Sequence, residues 1–412
     1  MSLRRVVILG AGHAGGSAAA TLRHYGHAGP IALVGEEPLL PYQRPPLSKA
    51  WLKGEVDEDE LQLRPPSFYA ENDISVRLGI RATRIDRSAR QVFLQDGEVL
   101  PYDALIIATG ARARRLALPG GEMARTLELR TAADAEMLKA AIAPGKRLAI
   151  VGGGYVGLEV AASARALGAE AVVIEREPRI LARVACPLLS EFVTAYHHKH
   201  GVRFELDAAV EALEGESGEA RAVRLEGGRR IPCDLVLIGV GALPNQELAE
   251  DAGLECHHGI VVDEEARTSD PAIFAIGDVT RRPLPLYGRS FRLESVPNAL
   301  EQAKQAAAAI TGHKPPPHEV PWFWSDQYDL KLQIAGLPFD VEDLVVRGDP
   351  APKAGEGARF AVFHMKGDAI QAVEAINSPA EFMGGKLLIG AQKPVSREKL
   401  ADPSISMKEV AT

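Results

Sequence analysis

The sequence predicts an α/β protein with two similar three-layer domains and a third domain of α+β type. Three observations predict it. The spacing G-x-G-x-x-G occurs twice, in VILGAGHAGG (residues 7–16) and in VGGGYVGLE (residues 151–159). Each copy stands between a short apolar run and a stretch of helical periodicity. After a proline-rich segment at residues 313–321, the pattern changes to alternating apolar residues.

The elements follow in order. Residues 5–9 form an apolar run expected to be the first strand. Gly10, Gly12 and Gly15 make the turn, and an alanine-rich helix should run to about Tyr25. A second strand at residues 31–34 ends at Gly35, Glu36 and Glu37. The second copy repeats this order: a strand at 147–151, a turn with Gly152, Gly154 and Gly157, a helix to about Leu167, and a strand at 171–174 ending at Glu175. Buried strands are expected in LIIATG near 105–108, LVLIGVG at 235–241 and FAIGD at 274–278. A helix is expected from Pro297 to about Ile310, with proline in its first turn. Beyond the hinge, the stretches at 330–335 and 359–365 suggest an antiparallel sheet, with a hairpin turn at Lys366, Gly367 and Asp368.

The 412 residues suffice for two or three domains. Apolar content is 46% and the formal net charge is −8, which disfavours nucleic acid and anionic membrane as partners. No apolar run reaches the ~18 residues of a spanning helix, so no membrane insertion is expected. The opening MSLRR followed by VVILGAG imitates a secretory leader, but fingerprint glycines occupy the place of a cleavage site, and the run reads as a strand. Three cysteines, Cys186, Cys233 and Cys256, have no C-x-x-C spacing, so they read as core or surface thiols in a reducing, cytoplasmic protein. The HHKH cluster at 197–200 lies on an amphipathic pattern without matched acids or cysteines, and no metal site is expected. The acidic run GEVDEDE at 54–60 reads as a solvated face.

Each glycine of a fingerprint has a task. The first permits a tight turn, the second lets the backbone approach a pyrophosphate, and the third lets helix and strand pack closely. The phosphates then meet free N–H groups at a helix N-terminus. Glu36 and Glu175 stand where an acid can accept from ribose hydroxyls. Two Rossmann-like sites in one chain suggest two dinucleotides. A flavin enzyme fits: FAD, tightly bound and non-covalent, at the first site, and NADH as co-substrate at the second. Glu175 favours NADH over NADPH, while Arg176 beside it weakens the preference.

The segments LIIATGA (105–111) and TSDPAIFAIGDV (268–279) resemble the secondary motifs of FAD-dependent pyridine-nucleotide reductases. PYQRPPLSK (41–49), ESVPNALEQAK (294–304) and PWFWSDQY (321–328) are similar to the ferredoxin reductases of bacterial oxygenase systems. The resemblance covers nearly the whole chain. It implies FAD contacts at Ala14, Glu36, Lys49, Ala82, Arg130, Asp278 and Val296, with Asp278 on the ribitol. The surrounding motif positions are implied as cofactor contacts: Arg44 and Pro45; Ala108, Thr109 and Gly110; Tyr155 and Gly241; and Gly277, Glu294 and Ser295. Lys49 and Glu159 are implied to pair near the flavin, and Trp324 to be the aromatic residue near the docking surface, with Trp322 an equal structural candidate.

In related disulfide reductases a C-x-x-x-x-C pair follows the first unit. Here PYQRPPLSK stands instead, without cysteine, so no thiol relay is available. The implied reaction is NADH to FAD to a small acidic [2Fe–2S] ferredoxin, which feeds a cytochrome P450 or a ring-hydroxylating dioxygenase. The implied domains are 1–112 with 242–317 for FAD, 113–241 for NAD, and a C-terminal α+β domain at 318–412. Because the chain is net negative, docking needs a local basic patch, for which Lys304, Lys386 and Lys393 are candidates. Two alternatives stay open: a rubredoxin or quinone reductase of the same fold, and a redox-sensing flavoprotein of the apoptosis-inducing-factor type.

Overall fold

The computed structural model describes residues 4–351 and 357–411. The chain divides into two compact units. One comprises residues 1–43, 58–112 and 243–323; the other comprises 44–57, 113–242 and 324–412.

The first unit centres on a five-stranded parallel sheet. Its strands lie in the order Ile273–Ala275, Ala104–Ile107, Val6–Leu9, Ile31–Gly35, Ile74–Leu78. All four residues of the first strand are buried, because both faces of the sheet are covered. Alternation assigns the faces. Val6 and Ile8 meet the helices His13–His24 and Val296–Thr311 through Ala18, Leu22, Ala303 and Ala306. Val7 and Leu9 meet Ile85, Val92 and Leu100 of a three-stranded antiparallel sheet. Helices, parallel sheet and antiparallel sheet make the three layers that the sequence predicts.

The second unit repeats the plan. Its parallel strands lie in the order Val202–Glu205, Glu170–Ile174, Arg147–Val151, Leu235–Ile238, Thr126–Leu127. Ala149, Val151, Val172 and Ile174 pack on Leu213, Val223 and Ile231 of another three-stranded antiparallel sheet. In both sheets the fingerprint strand is central, where the strand order reverses direction. That switch point is where open α/β sheets bind ligands.

The C-terminal part is a five-stranded antiparallel sheet in the order Trp322–Gln327, Leu330–Gly336, Ala369–Ile376, Arg359–Lys366, Asp343–Asp349. Lys366 and Ala369 close the expected hairpin. The helix Pro379–Ala391 packs on the sheet closely enough that a Cβ on Gly385 would lie 2.8 Å from a Val373 methyl. The hinge at 313–321 forms no regular element. No helix among the described residues is long and apolar enough to cross a membrane.

Candidate active site

The first fingerprint has the backbone its glycines imply. Gly10 has φ +113°, and a Cβ there would collide with the Ala108 carbonyl. A Cβ on Gly15 would collide with the Gly10 carbonyl. The helix His13–His24 opens at Gly12 with no side-chain cap, so its first N–H groups are not spent on one. Ala14 lies in its first turn, and a Cβ on Gly277 would sit 3.0 Å from the Ala14 methyl. Gly277 donates its N–H to Gln302 Oε1 at 2.8 Å, and Thr280 donates its hydroxyl to the same oxygen at 2.9 Å. Gln302 therefore pins the short turn that carries Asp278 to the helix Val296–Thr311.

The remaining first-unit positions cluster less tightly. Ser295 caps the helix Val296–Thr311 by accepting from the Asn298 N–H at 3.3 Å, and Glu294 pairs with Arg292. Thr109 and Asn245 exchange two hydrogen bonds of 2.8 and 2.9 Å, which fix the turn Ala108, Thr109, Gly110. Glu36 is exposed just beyond Ile31–Gly35 and makes a long 3.5 Å pairing with Arg81. Ala82 opens a strand of the antiparallel sheet.

The second fingerprint divides its glycines between packing and access. Gly152 has φ +109°, and a Cβ there would collide with the Gly239 carbonyl. A Cβ on Gly157 would lie 2.5 Å from the Gly152 carbonyl. A Cβ on Gly154 would meet nothing within 4 Å. The first and third glycines are thus demanded by protein packing and the second is not, which fits a backbone left open for a pyrophosphate. Glu175 accepts the Gly153 N–H at 2.7 Å and the Glu177 N–H at 3.0 Å, one on each oxygen. Its remaining lone pairs suffice for ribose hydroxyls. Gly241, at φ +107°, directly precedes the short strand Ala242–Pro244. The Tyr155 ring is partly exposed while its hydroxyl is buried; burial, then the nearby Glu374 and Cys186, hold that hydroxyl well above the usual phenol range.

The Lys49 ammonium lies 2.7 Å from Glu159 Oε2. Lys49 sits between the short turn Pro45–Ser48 and the short helix Ala50–Lys53, while Glu159 sits on the helix Tyr155–Ala166. Glu159 is 5% exposed, and water does not solvate its charge. Three donors do so instead: Lys49 and the Ser48 hydroxyl, at 2.5 Å, on Oε2, and the Ser325 hydroxyl, at 2.7 Å, on Oε1. Ser163, one turn beyond Glu159, donates to the Ser48 carbonyl at 2.8 Å and fixes the turn. Arg44 donates to the Arg130 carbonyl. Trp324 is half-buried and precedes Ser325 on one strand, so its ring and the Ser325 hydroxyl lie on opposite faces. A buried carboxylate holding an ammonium can present a fixed positive charge to an electron-accepting ring.

Comparison with known proteins assigns the chain to a family. Residues 4–303 match the pyridine nucleotide-disulphide oxidoreductase model, and residues 322–411 match the reductase C-terminal model. The chain belongs to the pyridine nucleotide-disulphide oxidoreductase family. The family assignment makes it an oxidoreductase and a flavoprotein, and its full-length relatives are electron-transfer reductases. It is 52% identical over 408 residues to a probable ferredoxin reductase of Castellaniella defragrans, covering 99% of this chain and 98% of that one. A rubredoxin-NAD(+) reductase of Pseudomonas putida is 41% identical, covering 91% of this chain and 96% of that one. The crystal structure of the covalent putidaredoxin reductase–putidaredoxin complex superposes with a TM-score of 0.96 at 40% identity, over 100% of this chain and 98% of that one.

This member of the family carries no cysteine in residues 41–49. Its three cysteines are free. Cys186 and Cys233 are buried, and burial pushes their thiols up to about 12 and about 11. Cys186, His364 and Glu374 bring their ligand-type atoms within 4.8 Å of one another. Sequence reading missed this buried group, because its members are far apart in the chain. Glu374 accepts the Cys186 N–H at the start of the helix Pro187–Lys199 and lies 3.3 Å from His364 Nε2, so it acts as a buried helix cap.

In the HHKH cluster, His197 is fully buried against Gln327 at 2.8 Å, and His200 stacks on Tyr328. Sequence reading also missed Ser48, Ser325 and Gln327. The last two had a signal: they are two residues apart in PWFWSDQY, hence on one strand face.

Proposed function

We propose that the chain is an NADH-dependent reductase that passes electrons through FAD to a small [2Fe–2S] ferredoxin serving a cytochrome P450 or ring-hydroxylating dioxygenase. The observation that carries this is the Lys49–Glu159 pair standing where a thiol relay would otherwise be needed. Bound FAD supplies the conversion from one two-electron donor to single-electron delivery. The chain's own residues do the rest. The fingerprint built on Gly10, Gly12 and Gly15 holds FAD, with Glu36 and Asp278 for its hydroxyls. The fingerprint built on Gly152, Gly154 and Gly157 binds NADH, with Glu175 on the adenosine ribose. Lys49, paired with Glu159, favours negative charge on the reduced ring.

The domains serve these roles as 1–112 with 242–317 for FAD, 113–241 for NADH and 318–412 for the C-terminal part, with Trp324 near the acceptor. The absence of a disulfide among three cysteines supports a cytoplasmic setting.

The deciding experiment supplies NADH, the holoenzyme and three purified acceptors: a [2Fe–2S] ferredoxin, a rubredoxin and a soluble quinone. Fast, saturable reduction of the ferredoxin is expected. Faster reduction of rubredoxin or quinone would reassign the acceptor. Slow turnover with every acceptor, alongside a long-lived reduced NADH complex, would make the protein a redox sensor.

A further inference from the structure

We infer that Ser325, Gln327 and His197 are positioning residues that hold Glu159 as a carboxylate through a one-way chain of hydrogen bonds. The inference rests on the role proposed above for the Lys49–Glu159 pair.

The direction of the chain follows from which atoms can donate. The Ser325 hydroxyl gives its one proton to Glu159 Oε1, at 2.7 Å. Ser325 Oγ must then accept from its other neighbour, the Gln327 amide nitrogen, at 3.0 Å. That fixes the amide with Gln327 Oε1 toward His197 Nε2, at 2.8 Å. A carbonyl oxygen only accepts, so His197 carries its proton on Nε2. In the neutral ring Nδ1 is then an acceptor, and the Tyr328 hydroxyl stands 3.4 Å from it. Every donor in the series points toward Glu159.

The chain is dry. Ser325 and His197 are 0% exposed, and Gln327 is 3% exposed. The charged and titratable groups around it include Lys49 at Glu159 Oε2, His198 and His200 beside His197, and Arg165 and Tyr196 toward Tyr328. Burial, the largest cause, holds His197 down to about 4 against the opposing effect of its hydrogen bond to Gln327, with His200 and His198 adding to burial, so the ring stays neutral.

The chain disfavours a proton at Glu159 Oε1. Ser325 Oγ already accepts from Gln327 on one lone pair, so it could accept from a protonated Oε1 only by turning its own proton away, which leaves a buried donor without its hydrogen bond. The strand Trp322–Gln327 thereby helps to set the charge state of a residue on the helix Tyr155–Ala166.

Two measurements test this. Histidine ¹⁵N NMR of the native oxidised holoenzyme should show His197 as the neutral Nε2–H tautomer from pH 8 down to pH ~5. An Nδ1–H tautomer, or an imidazolium in that range, overturns the inference and needs no variant. The second measurement is stopped-flow reduction of the bound flavin by NADH across pH. In Ser325→Ala the carboxylate loses one donor and protonates more readily. The rate should therefore fall off on the acid side about one pH unit higher than in the native protein. The NADH dissociation constant should stay unchanged, and Ser325→Thr should restore the native profile. Superimposable pH profiles for native protein and Ser325→Ala overturn the inference. Preference for a rubredoxin would sink the proposed acceptor while leaving both readouts untouched, so the two failures are distinguishable.

Discussion

Lys49 and Glu159 form an ion pair of unequal partners: the side chain of Glu159 is 6% exposed and that of Lys49 is 18% exposed. Removing either charge should therefore have unequal consequences. Lys49→Met strands a buried carboxylate with two hydroxyl donors, a loss of about 3–5 kcal/mol of stability. Glu159→Gln leaves an ammonium on a flexible stem that can reach toward water, so its loss should be well below that. Urea unfolding of the two holo variants checks the order. Equal losses, or a larger loss for Glu159→Gln, would contradict it.

Glu175 is held by the backbone N–H of Gly153 in the fingerprint and by that of Glu177 beside it. That rigid carboxylate should accept both adenosine ribose hydroxyls and repel a 2′-phosphate, giving a higher kcat/KM for NADH than for NADPH. Glu175→Ala should narrow the ratio at least tenfold, the effect of about 1.4 kcal/mol of binding. The measurement is steady-state kinetics with both nucleotides; an NADPH value equal to or above that for NADH in the native protein refutes the assignment.

All three thiols stay protonated at neutral pH, because burial pushes Cys186 to about 12 and Cys233 and Cys256 to about 11. Replacing the three together by serine or alanine should leave NADH–ferricyanide turnover nearly unchanged in protein that retains FAD. A hundredfold loss in such protein would place a cysteine on the electron path.

His197 gives the folded state a pH dependence. Its folded value of about 4 lies below the ordinary 6.5, so the unfolded chain takes up a proton that the folded protein refuses. The stability is fully present above pH ~6.5 and is lost as pH falls toward 4, about 3 kcal/mol over that window. His197→Gln should show a flatter decline of the urea midpoint between pH 7 and pH 5 than the native protein. Parallel declines would mean that His197 is not the group responsible.

Lys304 is exposed on the helix Val296–Thr311, one turn from Leu300, which is 36% exposed. If an acidic ferredoxin docks on that face, Lys304→Glu should raise its KM and flatten the salt dependence of association. Flavin reduction by NADH in stopped flow should remain normal. Ferredoxin reduction that is unaltered at low salt would move the docking face elsewhere, with Lys386 and Lys393 on the C-terminal part as the next substitutions.

Much of the fold was legible because its signals are local. The helix expected from Pro297 to about Ile310 is Val296–Thr311, and the expected strand at 147–151 is Arg147–Val151. Glycine spacing, apolar runs and a first-turn proline each act within one turn or strand. Within the candidate site, Lys49 and Glu159 were brought together only by family resemblance, since they lie 110 positions apart and no periodicity links them. Ser48, Ser325, Gln327 and Gln302 escaped for a related reason. A serine or glutamine is ordinary at the surface and acquires meaning only when burial removes water as its partner. The two-unit division places residues 44–57 in the unit that holds the second fingerprint, whereas the sequence reading kept them within the discontinuous segment 1–112 with 242–317.

The first parallel sheet has a consequence for biosynthesis. Its strand Ala104–Ile107 pairs on one side with Ile273–Ala275, and Ile273, the partner of Leu105, is made 168 positions later. At ~5–20 residues per second, the apolar edge at Leu105 waits on the ribosome for roughly ten to thirty seconds. During that interval it is an unpaired strand edge, the kind of surface that chaperones shield and other nascent chains capture. The hypothesis is that the opening fingerprint gains protease resistance late. Ribosome-stalled chains ending before residue 270 should be cleaved within their first 110 residues, and chains extending beyond residue 323 and its exit-tunnel allowance should resist. Early resistance in the shorter chains would show that four strands suffice, and that the fifth arrives as a lock on a sheet already formed.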